Sequence, residues 1–464
     1  MSQPEGEGIP FSVFKKTEHL PRLLVMSFGV WLYAADSTLV ATLMPIAVEE
    51  IGGLLYLSWT YTLYQLGSVV TGAIAALVVL RAGIVRAEIA AGLLYVFGCA
   101  LSAYASDISI MIFGRLLQGM GGGGLVSLAF IGASTLFPQK LWVRVIAVIS
   151  AVWGVSSLCG PLIGGYFVNI GNWRGAFWAF AIQGLVTIFV APPLLRKHLQ
   201  SHTKVIKPLP IARLALLCIA VLAICQAGVV SSTQFAGGLC AAGVALLLIF
   251  LKQDMDSENR IFPRGILNPC TVSGSGLFMI CSFFMATISL VVYGPLLMYI
   301  IYGAPPLVAG FIIALESLAW TLTAVFTSGL RERIEPTLIR LGSVLISISI
   351  LGMVYAMPNG PLWLISLFSV IMGMGFGMSW SFVSKRIIAN VTETEKTHAS
   401  ASIPTFMRVA MALGSALSGI IANYSGFSEA SSAALAKNVA FWCFAAFIPL
   451  MFVGLLTAWR VSKE

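Results

Sequence analysis

The sequence predicts an all-α integral membrane protein of about fourteen spans, and three observations lead there. Of 464 residues, 58% are hydrophobic and only 10% charged, whereas soluble domains carry about 25% charged residues. Mean hydropathy is +0.94. Apolar stretches long enough to cross a bilayer recur from end to end, and the basic residues fall in alternate loops. The net charge of +9 would point to nucleic acid in a soluble chain; here it follows from Lys and Arg retained on one side of the membrane.

The first 22 residues are polar and end in Leu20-Pro21-Arg22; they are expected to form a cytoplasmic tail, not a cleavable signal peptide. Apolar spans then run over 23–48, 54–80, 87–103, 108–137, 145–167, 177–195, 211–230, 235–251, 271–300, 307–330, 338–357, 362–383, 399–423 and 439–459. The seventh and eighth are the weakest; the alternative is twelve spans and a long apolar linker. With fourteen, one side collects Lys15, Lys16, Arg22, Arg81, Arg86, Lys140, Arg144, Arg196, Lys197, Lys204, Lys207, Lys252, Arg260, Arg264, Arg331, Arg333, Lys385, Arg386, Lys396, Arg460 and Lys463. The opposite loops keep little beyond Arg174 and Lys437. Both termini are therefore expected in the cytoplasm. A basic, proline-containing stretch (198–210) and a polar one (252–269) suit linkers on either side of the seventh and eighth spans.

Two charges are stranded inside spans near the start: Asp36 in the first and Arg115 in the fourth. A charge at bilayer depth costs about 2.5–3.5 kcal/mol on insertion scales, so it persists where it has a partner and a task. Helical spacing puts Arg115, Gln118, Gly119 and Gly122 on one face, and the glycines admit a second helix closely. Tyr33 shares a face with Asp36. Desolvation favours the protonated carboxyl and a guanidinium favours the carboxylate, so proton and cation compete at such a site. The alternative is a static ion pair joining the first and fourth helices.

Glu316 is a second intramembrane acid, about 15 Å beyond Pro306. Arg408 has the opposite sign at similar depth, so a structural pair and a substrate-binding role are both open. In the fifth span, Gly160, Pro161, Gly164 and Gly165 combine small residues with a helix-bending proline. Trp31, Tyr33, Tyr61, Tyr64, Gln65, Gln118, Trp153, Tyr293, Trp320, Trp380 and Arg408 offer aromatic and polar surface for a bulky, partly apolar ligand.

The eight cysteines lie in or beside apolar stretches without metal-ligand spacing, and the four histidines flank spans. No nucleotide-binding loop or nucleophile–base arrangement emerges, so no enzymatic activity, cofactor or metal is expected. Asn390-Val391-Thr392 fits a glycosylation sequon but falls in a loop read as cytoplasmic.

These residues resemble the major facilitator superfamily, in particular its fourteen-span drug:proton antiporter branch. Asp36-Ser37-Thr38-Leu39-Val40-Ala41, followed by Leu43-Met44-Pro45-Ile46, is similar to the first-helix motif of that branch. Arg115 through Gly119 resembles the fourth-helix motif, and Gly160-Pro161 with Gly164-Gly165 the antiporter motif. Asn172-Trp173-Arg174, Trp59 with Tyr64, and Arg408 with Gly414-Ser415-Ala416-Leu417 match further elements in order. One departure stands out. Arg81 and Gly83 fit the loop between helices two and three, but Leu80 takes the place of its acid, and Ile84 and Val85 replace basic residues.

The resemblance implies two six-helix bundles about a pseudo-twofold axis, with a central cavity. The expected division is a tail (1–22), an N-terminal bundle (23–200), a linker with two extra helices (201–265) and a C-terminal bundle with a short cytoplasmic tail (266–464). It further implies a proton-coupled exporter of an amphipathic organic compound. Proton coupling would rest on Asp36, Arg115 and Glu316. Arg81, Gly83, Gly119, Gly160, Pro161, Gly164 and Gly165 would serve conformational change. Expected partners are a small organic substrate, protons and membrane lipid, but no nucleic acid, with the chain acting as a monomer in the plasma or bacterial inner membrane. Alternatives are a dedicated exporter of a metabolite, siderophore or lipid, and a receptor or assembly subunit that kept the fold and lost transport.

Overall fold

The computed structural model describes residues 19–138, 141–195, 210–257, 260, 268–327, 332–391, 396–427 and 433–463. Lys15, Lys16, Lys140, Arg196, Lys197, Lys204, Lys207, Arg264 and Arg331, most of the 198–210 linker and Thr392 of the sequon lie outside them.

Six helices form the N-terminal half: α1 (His19–Ile51), α2 (Leu57–Ala82), α3 (Ile84–Ala103), α4 (Ile108–Thr135), α5 (Trp142–Asn169) and α6 (Trp173–Leu195). Two follow as a hairpin, α7 (Ile211–Ala227) and α8 (Thr233–Asp256). The C-terminal half contains α9 (Val272–Val292), α10 (Gly294–Tyr302), α11 (Pro306–Thr327), α12 (Glu335–Asn359), α13 (Leu362–Ala389), α14 (Lys396–Tyr424), α15 (Ala433–Ala445) and α16 (Ile448–Val461). The expected ninth and fourteenth spans are each two helices. Pro295 and Pro449 stand near the start of α10 and α16, where their missing N–H groups cost nothing. Among the described residues, thirteen helices are long and apolar enough to span a membrane, and α7 adds a shorter apolar one of 17 residues, about 26 Å long at helical rise. The result is two six-span bundles with two extra helices between them.

Hydrophobic helices gain little from one another in lipid, so small residues decide how they pack. Glycines on α4 let its neighbours approach backbone to backbone. A Cβ on Gly119 would lie 2.0 Å from the Tyr64 carbonyl oxygen, and one on Gly121 would lie 2.3 Å from the Tyr95 nitrogen. On α5, Gly160 and Gly164 receive Thr38 and Thr42 of α1, while Gly165 receives Leu307 of α11 in the other half. Pro161 faces Gly310 of α11. The glycine–proline motif thus occupies the junction of α1, α5 and α11. Gly83, at φ +83°, is the single residue that turns α2 into α3; Leu80 and Arg81 beside it are exposed.

The halves meet along α2 with α14 and along α5 with α11. Hydrogen bonds gather at the end remote from His19 and Val461, called here the far end. There Ser415 Oγ donates to the Ser58 carbonyl at 3.1 Å, and Asn423 Nδ2 to the Leu55 carbonyl at 2.8 Å. The α7–α8 hairpin is clipped by the buried Arg213–Asp254 pair and docks on α14, where Asn423 Nδ2 also donates to the Gly228 carbonyl.

The Gly119 geometry yields a test. Gly119→Val is expected to force α2 from α4, at about 1–3 kcal/mol or more for overpacking. Purified protein should then show a lower thermal midpoint in detergent or a loss of monodisperse material. A midpoint equal to that of the native chain would mean the contact carries no strain.

Candidate functional site

Asp36 lies midway along α1, and Arg115 two turns into α4. Both are fully buried. A single guanidinium nitrogen, Nη1, donates to Oδ1 at 2.9 Å and to Oδ2 at 3.0 Å, and also to Gln118 Oε1 at 2.6 Å. Arg115 Nε and Nη2, and Gln118 Nε2, are buried without an acceptor. The pair is therefore held by one arm, and three buried donors are left over.

Aromatic rings close the site. The Arg115 guanidinium lies 4.0 Å from the Tyr64 ring centre. Tyr64 stacks on Tyr33 with centroids 5.1 Å apart, and Trp153 meets Tyr33 edge-on at 5.6 Å. The Tyr64 and Tyr95 hydroxyls donate to the carbonyls of Tyr33 and Leu32 on α1. This fixes the helix turn that carries Asp36. The shared face of Tyr33 and Asp36 does not become a hydrogen bond: the Tyr33 hydroxyl donates to Gln65 Oε1 at 2.9 Å.

Arg408 comes from α14 in the other half. Its guanidinium sits 5.2 Å from the centre of the Tyr33 ring and beside Gly72 of α2. Side chains from both halves thus form one run: Arg408, Tyr33, Tyr64, Arg115, Asp36. Arg408 is buried, its Nε has no partner, and it makes no ion pair with Glu316. That pairing fails because α14 crosses α2, so the arginine reaches into the N-terminal half. Glu316 is partly buried and lies within electrostatic reach of Tyr61.

One turn along α11 from Glu316, Trp320 enters a cluster of four rings. It stacks on Phe376 at 5.0 Å and meets Trp380 at 5.8 Å and Phe284 at 6.0 Å. Gly373 and Gly377 admit the α11 backbone against α13 here. Phe284 and Phe376 carry no sequence signal beyond apolar periodicity. Trp31 is elsewhere: its Nε1 donates to Gln183 Oε1 of α6 at 2.9 Å. Arg81 and Gly83 lie at the end with the termini, away from the cluster.

The Trp173–Arg174 element clamps the far end. Trp173 Nε1 donates to Glu50 Oε2 at 2.6 Å, Arg174 pairs with the other Glu50 oxygen, and Arg174 Nη2 reaches the Ala105 carbonyl at 3.0 Å. That ties α1, α3 and α6 together. Among the described residues there is no metal-ligating cluster.

Removing one partner of a buried pair costs about 3–5 kcal/mol because the other charge is stranded. Arg115→Ala should therefore destabilise the purified protein more than Arg115→Ala combined with Asp36→Asn. A double-mutant cycle on thermal midpoints reads this directly; additive losses would show that the two groups do not interact.

The profile of the Major Facilitator Superfamily matches residues 26–387. The chain is 30% identical over 441 residues, 90% of each chain, to the probable multidrug-efflux transporter of Mycobacterium tuberculosis. It is 22% identical over 444 residues to the riboflavin transporter RibZ of Clostridioides difficile, covering 94% of this chain and 95% of that one. Among solved structures, the D-xylose-proton symporter superposes with a TM-score of 0.66 at 14% identity, over 96% of this chain and 97% of that one.

Proposed function

The chain belongs to the major facilitator superfamily, as a multi-pass transporter of the cell membrane and not an enzyme, and from that premise we propose that it exports an amphipathic organic compound in exchange for protons. The observation that carries the reading is the buried Asp36–Arg115 pair, linked through Tyr64 and Tyr33 to Arg408 of the opposite half. Structural pairs are weak stabilisers, so a pair this deep is better explained by a cycle that makes and breaks it. The multidrug-efflux relative supports export of a drug-like molecule.

In the proposed cycle both termini face the cytoplasm, and the contacts at the far end close the outside. The state described has Asp36 paired with Arg115, hence deprotonated, with substrate entering from the cytoplasm. Glu316 and the rings around Trp320 would meet the apolar and cationic parts of a substrate. Rocking of the halves about the α1–α5–α11 junction exposes the site outward. A proton then takes the carboxylate from Arg115, the substrate leaves, and return to the inward state delivers the proton to the cytoplasm.

A dedicated metabolite exporter is the second reading. It is favoured by Leu80 standing where the family's loop carries an acid, and by the likeness to a riboflavin transporter.

The test is substrate-induced proton release from purified, detergent-solubilised protein, screened over lipophilic cations, siderophores, flavins and lysolipids. Native protein should release protons with at least one class. Asp36→Asn should fold and insert but release none, and its transport should lose pH dependence. Equal release from Asp36→Asn, or binding without release in the native chain, would end the coupling assignment. The responding class decides between the two readings.

A further inference from the structure

Glu88 takes no part in the site just described. It lies four residues inside α3, about 6 Å from the helix start. It is 2% exposed, and its Oε2 has no hydrogen-bond partner. A carboxyl this deeply enclosed in a spanning helix is costly, and such groups mark ion or proton routes unless they are paired.

Its position on the helix gives it direction. The outward face of α3 carries Arg86, Ala90, Leu93 and Phe97, all exposed. The opposite face carries Glu88, Ala91, Tyr95, Cys99 and Ser102, all buried. Along that inner stripe Tyr95 is seven residues beyond Glu88, about 10 Å. The Tyr95 hydroxyl reaches the Leu32 carbonyl on α1, one turn before Asp36. The inner face of α3 thus runs from the level of Asp36 toward the end that carries the termini, and Glu88 is its carboxyl there, beyond the apolar Ala91 and Gly92.

Among the described residues the surroundings offer Glu88 no competing charge. The elements packed on α3 contribute Arg115 on α4, which Asp36 engages, and Arg81, exposed in the last turn of α2. Through its spanning length α6 brings only the polar Gln183 and Thr187, with Arg174 at the far end. On α1 the titratable and charged groups are Asp36, His19 and Arg22 at the end with the termini, each of the latter two with interactions of its own, and Glu49 and Glu50 at the far end.

We propose that Glu88 is a second proton-binding site, through which protons pass between Asp36 and solvent at the end carrying the termini; this rests on the proton-exchange reading above. In the inward-facing state water admitted along Ala91 and Gly92 carries the Asp36 proton to Glu88, and the Glu88 carboxyl gives it to the solvent. A carboxylate at that position shortens the transfer across a stretch otherwise lined by Ala91 and Gly92.

The test is pH-jump infrared spectroscopy of purified native protein, Glu88→Gln, Glu88→Asp and Asp36→Asn, following the carbonyl stretch of protonated carboxyls. Asp36→Asn assigns the Asp36 band. In Glu88→Gln one further titrating band should vanish, and protonation of Asp36 should slow by about a hundredfold or more, the scale of a positioned acid–base group. If every band and the Asp36 rate match the native protein, Glu88 is a packing residue and the proposal is overturned. A lost band with an unchanged Asp36 rate also overturns it, because Glu88 then titrates off the route. Should Glu88→Gln fail to fold, Glu88→Asp substitutes: a shifted, still titrating band with an altered Asp36 rate supports the route, and an unchanged rate overturns it. No substrate enters this measurement, so failure of the export reading in the proton-release screen is registered separately.

Discussion

The Asp36–Arg115 pair is the constraint around which the N-terminal half is built. At about 4 Å and an effective dielectric of 20, opposite unit charges attract by about 4 kcal/mol. Removing both ions from water costs several kcal/mol each. The pair therefore stays buried only because its surroundings are arranged for it: Gln118 shares the Arg115 donor, Tyr64 lies beneath the guanidinium, and the Tyr64 and Tyr95 hydroxyls pin the α1 backbone on either side. Each support comes from a different helix, so α1, α2, α3 and α4 must all come close at one depth.

Glycine makes that convergence possible. Gly119 and Gly121 bring α2 and α3 against α4 with their backbones nearly touching. Each glycine in a helix interior costs about 1 kcal/mol relative to alanine. The return is close van der Waals packing, which in lipid must replace the hydrophobic effect as the force between helices. The same device recurs at Gly160 and Gly164 on α5, but there it seats threonines of α1 beside a contact with the other half. One motif thus packs the helices around the charge pair, while its counterpart lies at a contact between the two bundles.

What the sequence disclosed follows from which properties are local. Hydropathy and loop charge are read one residue at a time, so the spans were legible, including the weak α7. Asp36 and Arg115 were legible as a pair because few other charges sit at such depth. The partner of Arg408 was not: its reach depends on α14 crossing α2, and nothing along the chain encodes which half an arginine enters. Tyr33 illustrates the same limit, since sharing a helix face with Asp36 does not decide which way its hydroxyl turns. Glu88 escaped notice because it lies two residues from Arg86 at a span end, where a charge ordinarily meets water. Only the packing of α4 and α6 against α3 encloses it. The breaks before Pro295 and Pro449 were hidden inside continuous apolar runs, where proline alone does not distinguish a kink from an end.

Charge and aromatic surface are divided unequally between the halves, and that division bears on coupling. The N-terminal half holds the ion pair, while the C-terminal half holds the four-ring cluster and a carboxyl, Glu316, without an ionic partner among the described residues. A transporter needs the state of one half to alter the energy of the other. A chain of intermediates is no warrant by itself; what matters is an element with two arrangements that both sites bias. In the proposed cycle Arg408 on the Tyr33 ring would be such an element, because the contact joins residues of different halves and would be lost if they rotated apart. Its energy is about 0.5–2 kcal/mol for a cation on a ring, larger as water is excluded. Under the proton-exchange proposal that is small enough to be overturned by the charge of Asp36, which touches the same stack through Arg115 and Tyr64. A stronger bond in that place would lock one state, and a weaker one would leave the halves indifferent to the proton.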